Sequence, residues 1–259
     1  RWKYNFLNEI LKYKNFLEEK AQYYESPKFI ESDPIKTLHQ FDLKEDIEIT
    51  GFLVASISWG NRKMIIKNSE KLIYLMDYSP HDFIINHSQS DLIRFDKYVH
   101  RTFNSIDLKY FIKSLKNIYI KYNGLESILS NNSSELFYNI HSLKKIFFEL
   151  NHEKRTEKHI SDPLKGSASK RLNMFLRWMV RSPQKGVDFG IWNKIKTSQL
   201  SCPLDVHIGR VARKLGFIKR KQNDFKALNE LDSNLRLLDG IDPVKFDFAL
   251  FGLAINENF

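Results

Sequence analysis

The sequence contains a single cysteine, Cys202, among 259 residues. One cysteine excludes an internal disulfide framework, a zinc site built on cysteines and a four-cysteine iron–sulfur cluster within this sequence. The eight histidines supply no H-E-x-x-H motif and no tight pair at ligand spacing. The sequence therefore predicts neither a metal nor a cofactor.

Long apolar runs and nucleotide-binding motifs are also absent. The most apolar stretch, residues 49–59, is too short and too polar to cross a bilayer. Neither G-x-x-x-x-G-K-[ST] nor G-x-G-x-x-G occurs, and G-x-S-x-G is missing too. These absences predict an intracellular, soluble protein that has no membrane partner and does not cradle a nucleotide.

Positive charge is what the chain has in excess, with 41 lysines and arginines against 31 acidic residues and a net charge of +10. Such a balance favours a polyanionic partner, which would be a nucleic acid or an anionic membrane surface, while solubility alone remains an alternative explanation. Of these alternatives, we expect the partner to be a nucleic acid.

Apolar residues recur at helical spacing along most of the chain, and no stretch alternates convincingly as a strand would. We therefore predict an all-α protein without internal repeats. The clearest predicted helices are residues 2–24, 107–120, 133–150, 170–181, 205–215, 224–238 and 243–253.

Two helix starts carry the residues best suited to chemistry. Lys170 heads a helix whose opposite side is apolar and whose polar side continues through Asn173, Arg177 and Arg181. This polar side is either an ordinary solvated face or part of a functional site. Asp205 precedes another apolar helical period, so it is either an ordinary N-cap or a functional carboxylate. A lysine nucleophile and a carboxylate at two helix starts could act on a sugar carbon.

The two segments together resemble motifs of the helix-hairpin-helix DNA glycosylases (HhH-GPD). Residues 164–173 have the sequence LKGSASKRLN, and the corresponding hairpin motif of the superfamily is roughly L-P-G-x-G-x-K-x-A-N. Residues 203–216 have the sequence PLDVHIGRVARKLG, and the superfamily's aspartate motif is P-x-D-x-H-x-x-R-x-x-x-R-L-G. Ala168 stands where that hairpin has its second glycine, a position that tends to need a positive φ. Over its whole length the chain also resembles a mainly bacterial family that is distantly related to these glycosylases.

The glycosylase resemblance implies a two-lobed helical fold with a central cleft. One lobe would combine residues 1–44 with 171–259, and the other would comprise residues 45–170, ending in the hairpin-like segment. It further implies a monomer in the bacterial cytoplasm or nucleoid that binds double-stranded DNA with one base flipped out.

The same resemblance implies roles for individual residues. Lys170 would attack the sugar C1′ and form a Schiff base, and Asp205 would activate the nucleophile and stabilise the oxocarbenium-like transition state. Trp59 is more typical of a core residue than of a wedge. The residues expected to contact nucleic acid are Asn61, Arg62, Gly166, Ser167, Ser169, Asn173, Arg177, His207, Arg210 and Arg213.

The expected function is therefore a DNA repair glycosylase, with or without abasic-site lyase activity. Within that class, the resemblance of Lys170 and of the long interval before Asp205 to some oxidised-guanine members implies an oxidised purine as the target. A non-catalytic DNA- or RNA-binding protein that keeps the fold is the alternative, and a structural or protein-interaction role is a third.

Overall fold

A computed structural model describes residues 8–131 and 133–259, and the chain divides into two compact units. Unit 1 takes in the chain up to Phe29 and then Pro163–Phe259, and unit 2 is Ile30–Asp162. The described residues are predominantly helical, which confirms the all-α prediction. The exception is a pair of two-residue strands.

Unit 2 is built on helix α3, Lys44–Ile57, whose side chains are almost all buried. Its aromatic core includes Phe52, Phe111 and Phe147, with ring centroids 4.7–6.1 Å apart. The helices of this unit are α3 (Lys44–Ile57), α4 (Arg62–Tyr74), α5 (Pro80–Asn86), α6 (Ser105–Tyr122), α7 (Leu125–Leu129) and α8 (Leu136–Phe147). Short 3-10 helices cover Pro34–Gln40, Asp91–Phe95 and Lys154–His159.

The two strands, β1 (Val99–His100) and β2 (Phe103–Asn104), form an antiparallel hairpin in unit 2. Arg101 takes a left-handed conformation in the turn, with a φ of 56°. The sequence did not predict this hairpin, because strands of two residues are too short to show alternation. Asn104 then begins α6 through a capping box with the buried Asp107.

Unit 1 carries α1 (Lys14–Tyr24), α9 (Lys170–Val180), α10 (Val206–Lys214), α11 (Phe225–Leu238) and α12 (Phe246–Asn256). The short helix α2 (Pro27–Ile30) lies at the border of the two units. Helix α12 is buried along nearly its whole length and packs against α1 and α10. At Gly252 a Cβ would lie 2.1 Å from the ring of Tyr24, so glycine is what allows α1 to approach α12.

Several predicted helices shift at their ends. The helix predicted for 133–150 is Leu136–Phe147, and residues 2–7 of the predicted first helix lie outside the described residues. Asp242 precedes Pro243 as an N-cap would, but its carboxylate makes no capping bond and pairs with Arg181 instead. No helix among the described residues is long and apolar enough to span a membrane.

Candidate functional site

Lys170 is the first residue of α9 and follows a tight turn. A 3-10 turn, Pro163–Lys165, leads into Gly166, whose φ is +90° and whose carbonyl accepts a hydrogen bond from the Phe225 N–H at 3.0 Å. Ser167 forms an isolated bridge with Asp224, and its hydroxyl accepts from the Ser169 N–H at 3.1 Å. The start of α11 therefore anchors the turn that presents Lys170.

The left-handed residue of this turn is Ser169, with a φ of 47°, and not Ala168. Ala168, which stands at the position of the superfamily's second glycine, is buried here, and its carbonyl accepts from the Asn173 amide at 3.0 Å. The Ser169 hydroxyl is buried, makes no hydrogen bond within the described residues and does not cap α9. Lys170 itself is half-buried.

Asp205 is the N-cap of α10, as predicted. Its Oδ1 accepts hydrogen bonds from the N–H groups of His207 and Ile208, at 2.9 and 3.0 Å. No hydrogen bond to its Oδ2 is formed within residues 8–131 and 133–259. The carboxylate is half-buried, so one oxygen orders the helix while the other carries no capping bond.

Gly209 makes room for the side chains that brace Asp205. A Cβ at this position would lie 2.6 Å from Oδ1 of Asn223 and 2.8 Å from Nη1 of Arg213. Asn223 donates to the Asp205 carbonyl at 2.9 Å and accepts from Arg213 at 2.7 Å. The small edge of α10 therefore admits a side chain of the same unit, and Asn223 belongs to the site although the sequence did not single it out.

The remaining predicted contacts on α10 differ in their surroundings. Arg210 is exposed, and its guanidinium donates to the Ala254 carbonyl at 2.8 Å. Arg213 also donates to the carbonyls of Arg220 and Gln222. The ring of His207 is half-buried and lies edge-on to Phe251.

Beyond Lys170, the polar side of α9 is buried and is not a solvated face. Asn173 and Arg177 are only 3% and 4% exposed, and Arg181 is buried as well. Arg177 donates to Asp188 at 3.2 Å and to Asp247 at 2.5 Å. The expectation that Asn173 and Arg177 contact nucleic acid is thus corrected, because both side chains are occupied inside unit 1.

Arg181 completes this buried ion network. It donates to Glu25, Asp188 and Asp242 over 2.7–3.2 Å. Burial alone would lower the pKa of the Arg181 guanidinium, but its bonds to Asp242 and Glu25 and the charge of Asp188 raise it. The arginine is therefore a permanent cation whose role lies within the fold.

Asp247 is a buried carboxyl of α12 that pairs with Arg177 of α9. Burial raises the pKa of this carboxyl and the Asp205 charge adds to the rise, whereas the positive charges of Arg177 and Lys170 oppose it. The thiol of Cys202 donates to Asp247 Oδ1 at 3.8 Å. Asp247 therefore bonds to α9 and to the segment that leads into Asp205, and no motif pointed to it. The signal available in the sequence was only an acidic residue in an otherwise apolar helix.

Asn61 and Arg62 lie in unit 2. Asn61 is the exposed N-cap of α4 and accepts from the Met64 N–H at 3.2 Å, and Arg62 is the first residue of that helix. The ring of Trp59 stacks on His159 and lies edge-on to His100, with centroids 5.9 and 5.0 Å away. Trp59 is half-buried and packs against these rings of its own unit.

No group of three or more histidine, cysteine, aspartate or glutamate side chains in the described part of the chain is arranged to hold a metal ion. Comparisons with curated proteins and with solved structures gave no match. A family described as "Protein of unknown function (DUF2400)" matches residues 33–256, which is most of the chain. The protein therefore belongs to the DUF2400 family.

Proposed function

We propose that this protein is a DNA glycosylase that removes a damaged base, with an abasic-site lyase activity carried by Lys170. The observation that carries the proposal is that Lys170 and Asp205 begin two helices of unit 1, that both are half-buried, and that Asp205 caps its helix through Oδ1 alone. The net charge of +10 supports a nucleic-acid partner. We keep an oxidised purine as the proposed target and the HhH-GPD arrangement as the proposed fold.

In the proposed reaction, the neutral amine of Lys170 attacks C1′ of a flipped nucleotide. The bond from C1′ to the base breaks, and its electron pair leaves with the base. The amine gives one proton to the departing base and a second to the ring oxygen of the sugar. The sugar ring opens, and an imine joins Nζ to C1′. Asp205 would stabilise the positive charge that develops on the sugar as the base leaves.

The backbone geometry supports a phosphate contact beside this reaction. The Ser169 hydroxyl makes no capping bond, so no Ser169 side-chain oxygen competes for the first-turn N–H groups of α9. Helix N-termini of this kind favour anions, because their N–H groups and the helix dipole point at the ligand. We assign the phosphate contact to the turn at Gly166–Lys170 and the neighbouring start of α9.

Borohydride trapping tests the proposal directly. Purified protein is incubated with duplexes that carry an abasic site or 8-oxoguanine, and hydride reduction converts an imine into a stable covalent adduct. We expect an adduct with the natural protein, its loss in Lys170→Ala, and its retention in Lys165→Ala. Lys165 is exposed and lies in the same turn, so the control removes the same charge close by.

If no adduct and no base release occur with any lesion, the glycosylase proposal fails. Salt-dependent binding to DNA or RNA without either reaction would favour the non-catalytic binding protein. Base release without an adduct would retain Asp205 as the catalytic carboxylate and remove Lys170 as the nucleophile.

A further inference from the structure

A three-residue segment at the start of helix α11, residues 223–225, contacts both Asp205 and the turn that precedes α9. The side chain of Asn223 donates through Nδ2 to the Asp205 carbonyl at 2.9 Å. Two positions later, the Phe225 N–H donates to the Gly166 carbonyl at 3.0 Å. We call these three residues the bridging segment, because they connect the two helix starts of the proposed site through direct hydrogen bonds.

The bridging segment is itself held in place by its neighbours. Asp224 caps α11 by accepting from the Ala227 N–H at 3.1 Å, and it pairs with the Arg220 guanidinium, whose Nε lies 2.7 Å away. Arg213 of α10 donates to the carbonyls of Arg220 and Gln222, at 2.8 and 3.2 Å. The position of the segment is therefore fixed by two helices of unit 1.

Asn223 is the residue of this segment whose side chain reaches Asp205. While Nδ2 donates to Asp205, Oδ1 accepts from Arg213 at 2.7 Å, so the amide is bonded at both of its ends. The Asp205 carbonyl also accepts from the Gly209 N–H at 2.9 Å, which is the first bond within α10. A carbonyl oxygen has two lone pairs, and here the helix uses one and Asn223 the other. The backbone that carries the Asp205 carboxylate is therefore held from two directions.

We propose that Asn223 is a positioning residue for Asp205, because its amide holds the backbone of this N-cap against the segment that also holds the turn before α9. The proposal rests on the proposed function for its catalytic meaning. A fixed carboxylate stabilises a developing charge better than one that has to reorganise first. The structural part, which is that Asn223 keeps the cap of α10 closed, can be measured without any catalysis.

Amide hydrogen exchange followed by NMR tests this structural part. The N–H groups of His207 and Ile208 donate to Asp205 Oδ1, so their exchange rates report how often the cap opens. In Asn223→Ala we expect both to exchange about fivefold faster than in the natural protein, which is the change that one lost neutral hydrogen bond gives. Asn229→Ala is the matched control, because it makes the same change at an exposed position of α11 and should leave both rates unchanged.

Gly209→Ala reaches the same amide without altering it, and it also covers the case in which Asn223→Ala does not fold. A Cβ at position 209 would lie 2.6 Å from Oδ1 and 3.0 Å from Nδ2 of Asn223, so the amide has to move. We expect faster exchange at His207 and Ile208 again, although alanine by itself favours a helix. Combining the two substitutions should add nothing, because the group that the new methyl displaces is then absent.

Three results would overturn the inference. The first is an unchanged exchange rate of His207 and Ile208 in either folded single variant, and the second is an additive effect in the double variant. The third is an equal rise at the Ala227 N–H, which belongs to the cap of α11, because that would show a loosening of the whole region.

Base release under single-turnover conditions, with protein in excess over a lesion-containing duplex, tests the catalytic part. In Asn223→Ala we expect the rate to fall about tenfold while the affinity for the duplex stays the same, since a displaced group slows the reaction and not the binding. Faster exchange at the cap with no base release by the natural protein would remove the glycosylase proposal and leave the bracing of Asp205 intact. A natural rate of base release in Asn223→Ala would remove the positioning role and leave the glycosylase proposal intact.

Discussion

Replacing Arg181 with methionine tests whether the buried ion network holds unit 1 together. Arg181 is 4% exposed and donates to Glu25, Asp188 and Asp242 at 2.7–3.2 Å. Methionine keeps an unbranched apolar side chain but leaves three carboxylates without this cation. Removing one partner from a buried ion pair costs about 3–5 kcal/mol, because the remaining charge stays desolvated. For a chain of this size that is a fall in Tm of about 10 °C.

The loss should also depend on pH. Burial raises the pKa of Asp188, while the charges of Arg177 and Arg181 oppose the rise. Without Arg181 the pKa of Asp188 in the folded variant rises further. Above pH 3.8, which is the ordinary pKa of the group, the unfolded chain has released this proton while the folded variant still holds it. Stability of the variant then falls as pH rises through this wider range. The difference from the natural protein should be smallest near pH 4 and largest at neutral pH.

Urea unfolding at pH 5 and pH 7.5 measures both effects, with tryptophan fluorescence as the signal because Trp178 and Trp192 are buried in unit 1. Lys185→Met is the matched control, since it removes the same charge from an exposed position four residues away. We expect the control to stay within about 0.5 kcal/mol of the natural protein. A loss below about 1 kcal/mol in Arg181→Met at pH 7.5, or an equal loss at both pH values, would refute the reasoning.

Substitutions at two further positions test the charges around the site. Asp205→Asn should keep the cap of α10 and abolish base release. Asp205→Ala should abolish base release and also lose about 1 kcal/mol of stability in urea unfolding, because the cap is lost. Retained base release in Asp205→Asn would contradict the catalytic role. Burial raises the pKa of Asp232 to about 6, so the folded chain holds a proton there and stability falls as pH rises from about 4 to about 6. Asp232→Asn keeps an acceptor for the Cys202 N–H and should reduce this pH-dependent loss of stability by on the order of 3 kcal/mol. Urea midpoints at pH 4 and pH 7 measure the difference. An unchanged loss would contradict the raised pKa of Asp232.

Local signals in the sequence located the helix starts well. Asp205 was recognisable because an acid before an apolar helical period is a favoured N-cap, and it caps α10. Lys170 was expected in the first turn of its helix and is the first residue of α9. Each of these features is decided within a few residues, so the pattern of neighbours was sufficient to predict it.

The polar side of α9 could not be predicted in the same way. Arg177 and Arg181 look like a solvated or substrate-facing ridge on a helical projection, but their partners Asp247 and Glu25 are 70 and 156 residues away in sequence. A pattern of polar residues shows that a face is polar and does not show what meets it. Here the polar face contacts carboxylates from α12, from the residue that follows α1 and from loops, so its positive charge is neutralised internally.

Burial of these arginines also changes how the excess charge should be interpreted. Two of the cations that contribute to the net charge of +10 are enclosed with acids and cannot attract a polyanion. The exposed cations nearest the proposed site are therefore the relevant ones. Among the predicted contacts, Arg210 is exposed and Arg213 partly exposed, whereas Asn173 and Arg177 are enclosed.

Asp205 shows why a capping role does not argue against a catalytic one. Capping uses Oδ1, which accepts from two N–H groups, and leaves Oδ2 without a hydrogen bond in the described part of the chain. The cap fixes the orientation of the carboxylate, and a fixed carboxylate stabilises developing positive charge without first having to reorganise. Asn223, held in the space that Gly209 leaves, braces the backbone of the same residue. If catalysis occurs here, asparagine at position 205 should therefore preserve the architecture and remove only the charge.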